Sequence, residues 1–391
     1  MKKFFYKTIV FLTIGSLIFI LLNILADNYD SQSVFRITQL LNKRDSINAL
    51  AVGNSHACAF DFRTLKMNGY RVAQGGNDVF ETEYQLRALV PMLPNLKVVL
   101  FNISYFSLFE DNSAIPNDYC YYTKEEYNLL LYRYPNVKSV LSPIKYFDFI
   151  LIDTKKINSQ QENILGPAYR EIMDKVSDGL GLRKSYYKSI PSFNWVNGDI
   201  KNFFESKFSL IIRQDHWKEI IYNLFKNHPV LNPNEYYKTD KYGQSTRSLA
   251  YTYKNPDSLD EMAKKIQVPN YINNCKVMAY FNNDIPNETY KCLISVIKYL
   301  RQRNIKLIFI TTPVYFSFTK YYDKKYIHLM KINMNQLKKE YGIKYYDFST
   351  DTTFSYNNKF FYNSDHLNKT GAKKFSKKLL FTLIKNIDDE K

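Results

Sequence analysis

Ile47-Asn48-Ala49-Leu50-Ala51-Val52-Gly53-Asn54-Ser55-His56 opens as an apolar run and closes on a glycine, an amide, a hydroxyl and an imidazole. A short continuous apolar run that stops at glycine suits a parallel strand buried on both faces. It predicts a strand over 47–52, with the polar residues just past its carboxyl end. Working outward, Tyr70-Arg71-Val72-Ala73-Gln74 before Gly75-Gly76 reads as a second strand, and Lys97-Val98-Val99-Leu100-Phe101-Asn102-Ile103 as a third. A helix over 81–90 separates these two, and an amphipathic helix over 31–41 leads into the first.

The alternation resumes late in the chain. Residues 288–302 read as a helix with Tyr290, Leu293, Ile294, Ile297 and Leu300 on one face. Lys306 to Ile310 reads as a strand that stops at Thr311-Thr312-Pro313, 327–341 as a helix, 343–348 as a strand and 371–384 as a closing helix. Strands separated by helices predict an α/β fold with a parallel sheet covered on both faces. Residues 110–285 lack this alternation and read as a mostly helical insertion or lid, with helices near 124–132, 168–176 and 217–225. The expected organisation is an anchor over 1–27, a core split between 28–109 and 286–391, and the insertion between its halves.

The N-terminus decides the compartment. Lys2, Lys3 and Lys7 flank an uncharged stretch from Thr8 to Ala26, the length a bilayer core requires. Positive residues ahead of it predict a cytoplasmic N-terminus and an exported body. A cleaved signal peptide is the competing reading, but the stretch is long for one and no A-x-A site follows. The expected location is a single-pass anchor in the cytoplasmic membrane, with the body on its outer side.

The chain has 391 residues, is 45% hydrophobic and 16% aromatic, and so can bury a large core. With only 12 glycines it shows neither GxGxxG nor a Walker loop, which argues against a nucleotide site. The formal charge of +17 comes from scattered lysines, not a block, so a nucleic-acid partner is not expected. Lys373-Lys374 and Lys377-Lys378 read as the polar side of one helix. Cys58, Cys120, Cys275 and Cys292 fit no zinc signature; an exported compartment permits disulfides, and the three possible pairings stay open.

Chemistry is expected at the carboxyl ends of the strands, where Ser55, Gly75-Gly76, Asn102 and Thr311-Thr312 fall. Ser55 reads as an exposed nucleophile at a strand-to-helix turn, or as a plain helix cap. Gly75 and Gly76 could point backbone N–H groups at an oxyanion, or simply make a turn; Asn102 could add a side-chain N–H, or cap a strand end. His366, in the polar turn Asn363-Ser364-Asp365-His366 before Gly371-Ala372, reads as the general base. The small pair at 371–372 would let the closing helix pack tightly on the sheet. His56, His216, His228 and His328 read as structural or exposed. Asp365 and His366 could ligate a metal, but no second histidine or cysteine lies at ligand spacing, so no metal or cofactor is expected.

Together these residues resemble the SGNH (GDSL-like) hydrolase superfamily, and within it the membrane-anchored bacterial branch that handles acyl groups on cell-surface polymers. Gly53-Asn54-Ser55-His56 matches the first block, Gly75 or Gly76 the glycine block, and Asp365-His366 with the flanking Tyr346 to Ser349 and Phe361 to Ser376 the last. The matches cover residues 45–110 and 286–385. The resemblance implies a three-layer α/β/α flavodoxin-like sandwich, with Ser55 as nucleophile and His366 as base. It implies an oxyanion hole from the Ser55 N–H, a glycine N–H and an asparagine, for which Asn102 is offered. The family's acid stands three residues before the histidine, where this chain has Asn363; either Asn363 or Asp365 would orient His366.

The function implied is a serine O-acyl esterase or acyltransferase, acetyl above all. Its partners would be an acylated small molecule or an envelope or extracellular glycan, the membrane through the N-terminal helix, and machinery of polysaccharide biosynthesis. A catalytically inactive glycan-binding or assembly protein of the same fold is the alternative. A phosphodiesterase would need the metal site that the spacing does not offer.

Overall fold

The computed structural model describes residues 2–27, 32–73, 75–111, 240–243, 256–281 and 284–388. The helices expected near 124–132, 168–176 and 217–225, and most of the expected insertion, lie outside the described residues. The chain divides into two compact units, residues 1–27 with 128–214 and residues 28–127 with 215–391. In the first unit the described element is helix α1, Lys2–Asp27. Its segment Lys3–Leu21 is long and apolar enough to cross a membrane; its 19 residues extend about 28 Å as a helix.

The second unit begins with α2 (Gln32–Leu41), β1 (Ala49–Gly53), a 3₁₀ turn (Ser55–Ala59), α3 (Phe62–Leu65) and β2 (Gly69–Arg71). It continues with α4 (Val79–Leu89) and β3 (Val98–Asn102). After the gap come α5 (Pro256–Met262), a π turn (Ala263–Gln267), α6 (Val268–Phe281), α7 (Ile285–Arg301) and β4 (Lys306–Thr311). The chain closes with α8 (Phe316–Tyr321), α9 (Lys324–Tyr341), β5 (Lys344–Asp347), α10 (Thr352–Ser355) and α11 (Lys369–Asp388). The five strands form one parallel sheet in the order β2-β1-β3-β4-β5.

Every residue of β1 is buried, as its unbroken apolar run requires. On one sheet face Ala49, Ala51, Leu100, Ile308 and Ile310 join a core with Phe62, Phe375 and Leu379, so α3 and α11 cover that face. Leu50, Val52, Val99, Phe101 and Phe309 alternate onto the other face and are buried too; α4 packs against β1 and α7 against β4. β5, at the sheet edge, is only partly buried.

Local signals fix the boundaries. Asp78 and Glu81 form a reciprocal capping box at the start of α4. α9 ends on Gly342 in the left-handed region. Gly53 leaves β1 at φ +103°, and a Cβ there would drive into the Asn102 carbonyl oxygen of the adjacent β3. Only glycine lets the two strand ends approach this closely.

Two expectations change. On α7 the buried stripe is Thr289, Cys292, Leu293, Val296, Ile297, Tyr299 and Leu300, whereas Tyr290 and Ile294 are half-buried. A helix packed on both the sheet and α4 buries a wider and differently phased arc than a five-residue face. Gly371 makes a close approach, but to the Phe360 carbonyl of the preceding turn and not to the sheet. Cys58, Cys275 and Cys292 are buried and form no disulfide with one another, while Cys120 lies outside the described residues.

Glu110, just past β3, is fully buried, and burial together with the neighbouring Glu81 pushes its carboxyl up to about 8. The folded chain then keeps a proton that the unfolded chain releases, so stability falls as pH rises from the ordinary carboxylate range towards that value. Glu110→Gln is expected to raise the unfolding midpoint, the gain growing by about 1 kcal/mol per pH unit between about pH 5 and about pH 8. Thermal melts at both ends of that range check it; a pH-independent effect would contradict it.

Candidate active site

In the strand order the chain moves from β1 outward to β2, then back across to β3 on the other side. A crevice opens at such a switch point beyond the carboxyl ends of the strands. Ser55 follows β1, and Ser104 follows β3 at this same end. Asn54 caps the 3₁₀ turn by accepting the His56 backbone N–H at 3.1 Å. The capping role is therefore Asn54's, and Ser55 is left half-exposed as the first residue of the turn.

The loop 361–367 delivers the histidine. A bridge between Phe361 and Leu367 closes it, and Tyr362 N–H donates to the His366 carbonyl at 2.8 Å. Asn363 Oδ1 gathers the turn by accepting from His366 N–H at 2.7 Å and from Asp365 N–H at 3.3 Å. Asn368 then caps α11 by accepting from Gly371 N–H at 3.0 Å.

His366 Nε2 lies 2.7 Å from Ser55 Oγ. Its Nδ1 lies 2.8 Å from Asp365 Oδ1 and 3.1 Å from Asn363 Oδ1. Since Nδ1 faces two acceptors it carries the ring proton, and Nε2 is free to accept from the serine hydroxyl. Of the two orienting candidates, Asp365 makes the shorter contact and brings the charge, while Asn363 supports the ring from beside it.

Asp365 is fully buried and surrounded by donors. Gln267 Nε2 donates to Oδ1 at 2.7 Å, Tyr271 O–H donates to Oδ2 at 2.8 Å, and His56 Nε2 lies 3.2 Å from Oδ2. Burial alone would raise its pKa; the charge and hydrogen bond of His366, followed by those of His56, outweigh this and hold the carboxyl well below the usual range. Ser364 N–H donates to Gln267 Oε1 at 3.0 Å, and the Ser364 hydroxyl joins it there.

His56 is not a bystander. Its ring stacks on His366, with centroids 4.2 Å apart and planes 15° from parallel, so that one carboxylate serves both imidazoles. Its Nδ1 lies 2.9 Å from Asn54 Oδ1 and 3.4 Å from Ser104 Oγ, which ties it to the segments after β1 and β3. Burial, then the nearby His366, lowers its pKa against the pull of Asp365. Its structural reading from sequence stands, and the fold adds a contact to the carboxylate beside His366. The second histidine that ligand spacing did not offer comes from the other end of the chain: ligating atoms of His56, Asp365 and His366 lie within 4.8 Å of one another. Those atoms already face one another as donors and acceptors, and Gln267 and Tyr271 occupy Asp365 further.

Gly75 and Gly76 are exposed, and Gly76 has φ +80°. Asn102 is buried, and its Nδ2 donates to the Ile310 carbonyl at 3.3 Å and lies 3.5 Å from Thr312 Oγ1. Thr311 is buried as well and donates to the Ile103 carbonyl at 2.7 Å. His328 is exposed on α9; His216 and His228 lie outside the described residues.

Sequence reading missed His56, Gln267 and Tyr271. The signal for His56 was its place beside Ser55. Gln267 ends the π turn and Tyr271 stands four residues on in α6, in a stretch without strand–helix alternation, and nothing in that pattern points to a carboxylate about a hundred residues on.

A hydroxyl, an imidazole and a buried carboxylate in this sequence can activate the serine for attack on an electrophilic carbon. No protein-family model matches the chain, and no curated protein matches it.

Proposed function

We propose that this chain is an exported, membrane-anchored serine O-acyl esterase or acyltransferase acting on an acetylated envelope or extracellular glycan. The observation that carries the reading is the relay Ser55 Oγ–His366 Nε2 at 2.7 Å and His366 Nδ1–Asp365 Oδ1 at 2.8 Å. His366 removes the hydroxyl proton as Ser55 Oγ attacks the ester carbonyl. The resulting imidazolium is balanced by Asp365, and it returns the proton to the leaving alkoxide as the acyl-enzyme forms. Water or a sugar hydroxyl, deprotonated by the same histidine, then takes the acyl group. The backbone N–H groups of Ser55 and of the glycines at 75–76 are the proposed oxyanion donors.

The strand order β2-β1-β3-β4-β5 is that of flavodoxin-like doubly wound sheets, which supports an SGNH hydrolase fold. Asp365 supports the orienting role that Asn363, in the family's usual acid position, fills less well: an amide cannot balance imidazolium charge. The apolar helix α1 supports a single-pass anchor, and its lysines support an outward-facing body.

The test is acetate release, or transfer, from an O-acetylated polysaccharide by the full chain in detergent micelles. The expected result is release at a rate that His366→Ala lowers by about 10⁴-fold or more. Release that is unaffected by His366→Ala, or no release although a small acetyl ester is turned over, would contradict a glycan O-acyl enzyme.

A further inference from the structure

A second recess opens beyond the carboxyl ends of β4 and β5, at the same end of the sheet as Ser55. It is an open cleft of about 390 Å³, within the range of small-molecule sites. Phe316, Thr319 and Lys320 come from α8, Lys324 from the start of α9, and Thr350 and Tyr356 from the segment after β5. The cleft adjoins the catalytic loop: Tyr315 N–H, one residue before Phe316, donates to the carbonyl of Ser364 at 2.8 Å.

Two features of this cleft have no role in the core. Tyr356 is 67% exposed, yet its ring is held flat on Phe316, with centroids 5.3 Å apart and planes at 15°. A rigid exposed aromatic face is a platform for an apolar surface such as the C–H face of a sugar ring. Beside it stand two ammonium groups and the hydroxyls of Thr319 and Thr350. Lys324 Nζ donates to the Thr319 carbonyl at 3.2 Å, and Lys320 Nζ sits 4.8 Å from the Tyr321 ring and 4.0 Å from Asp260. None of the residues lining the cleft is acidic. An aromatic platform, hydroxyls and surplus positive charge match a sugar bearing a carboxylate better than a neutral one.

We propose that this cleft is a subsite for an acidic sugar residue, which holds a polyanionic glycan while an ester elsewhere on the chain reaches Ser55. The proposal rests on the reading of Ser55 as acting on a glycan. Its test is calorimetric titration of the full chain in detergent micelles with oligogalacturonate and, separately, with neutral maltohexaose. Oligogalacturonate is expected to bind, and maltohexaose to bind about tenfold more weakly or not at all. Tyr356→Ala and Lys324→Ala should each weaken oligogalacturonate binding about tenfold, and the lysine variant should also flatten its dependence on salt. Both variants should hydrolyse a small acetyl ester at the wild-type rate. No binding of oligogalacturonate to the wild type, or binding indifferent to both substitutions, would overturn the subsite. Variant-sensitive binding by a chain that hydrolyses no ester would uphold the subsite and remove the esterase reading.

Discussion

Ser55→Ala is expected to lower the kcat for a small acetyl ester by about 10⁶-fold, to a rate set by binding and oxyanion contacts alone. The expectation follows from the position of the hydroxyl, not from its type. Ser55 Oγ is the atom that His366 Nε2 faces at 2.7 Å. Asn54, not Ser55, caps the turn, so the substitution removes little that holds the fold. Folding should therefore survive, with an unfolding midpoint near that of the wild type. Kinetics and a thermal melt on the same preparation separate the two effects. A loss of less than about tenfold would mean that the nucleophile is elsewhere.

Asp365→Asn should act on both activity and stability. The amide keeps the volume, but it either offers an N–H to a ring nitrogen that needs an acceptor or leaves imidazolium charge unbalanced; the expected loss in kcat is about 10⁴-fold. The carboxylate also accepts from Gln267 and Tyr271 and faces His56, all in a buried setting. Breaking such a network costs about 3 kcal/mol. The sign with pH follows from its lowered pKa: the charge stabilises the fold in full at neutral pH, and this contribution is lost progressively as pH falls from the ordinary carboxylate range through the lowered value. Asn363→Ala, by contrast, removes an acceptor for the His366 backbone N–H and a flanking contact to Nδ1. It should cost about tenfold in kcat. The reverse order of the two effects would make Asn363 the orienting residue.

What could be read from the chain was what depends on local pattern. β1, β3 and β4 are continuous apolar runs, and a strand covered on both faces leaves that mark. Ser55 and His366 were legible because each sits at a strand or helix boundary among small and polar residues. The phase of α7 was not, since Thr289, Cys292 and Tyr299 are buried by the particular neighbours the helix meets. The choice between Asn363 and Asp365 was not legible either. It depends on how Asn363 Oδ1 folds the turn, which brings the neighbouring carboxylate back under the imidazole. His56 and Asp365 stand 309 positions apart, and only the sheet order brings the ends of their segments together. Gln267 and Tyr271 reach that carboxylate from beyond the sheet pattern altogether.

The most direct test of an activated Ser55 is mass spectrometry of the full chain after exposure to a fluorophosphonate, which reacts with a serine only when a base has raised its nucleophilicity. The account predicts one phosphonyl adduct on the peptide that carries Ser55, lost in Ser55→Ala and strongly slowed in His366→Ala. A folded chain that takes no adduct at Ser55 while a small acetyl ester is still hydrolysed, or one labelled equally in His366→Ala, would contradict it.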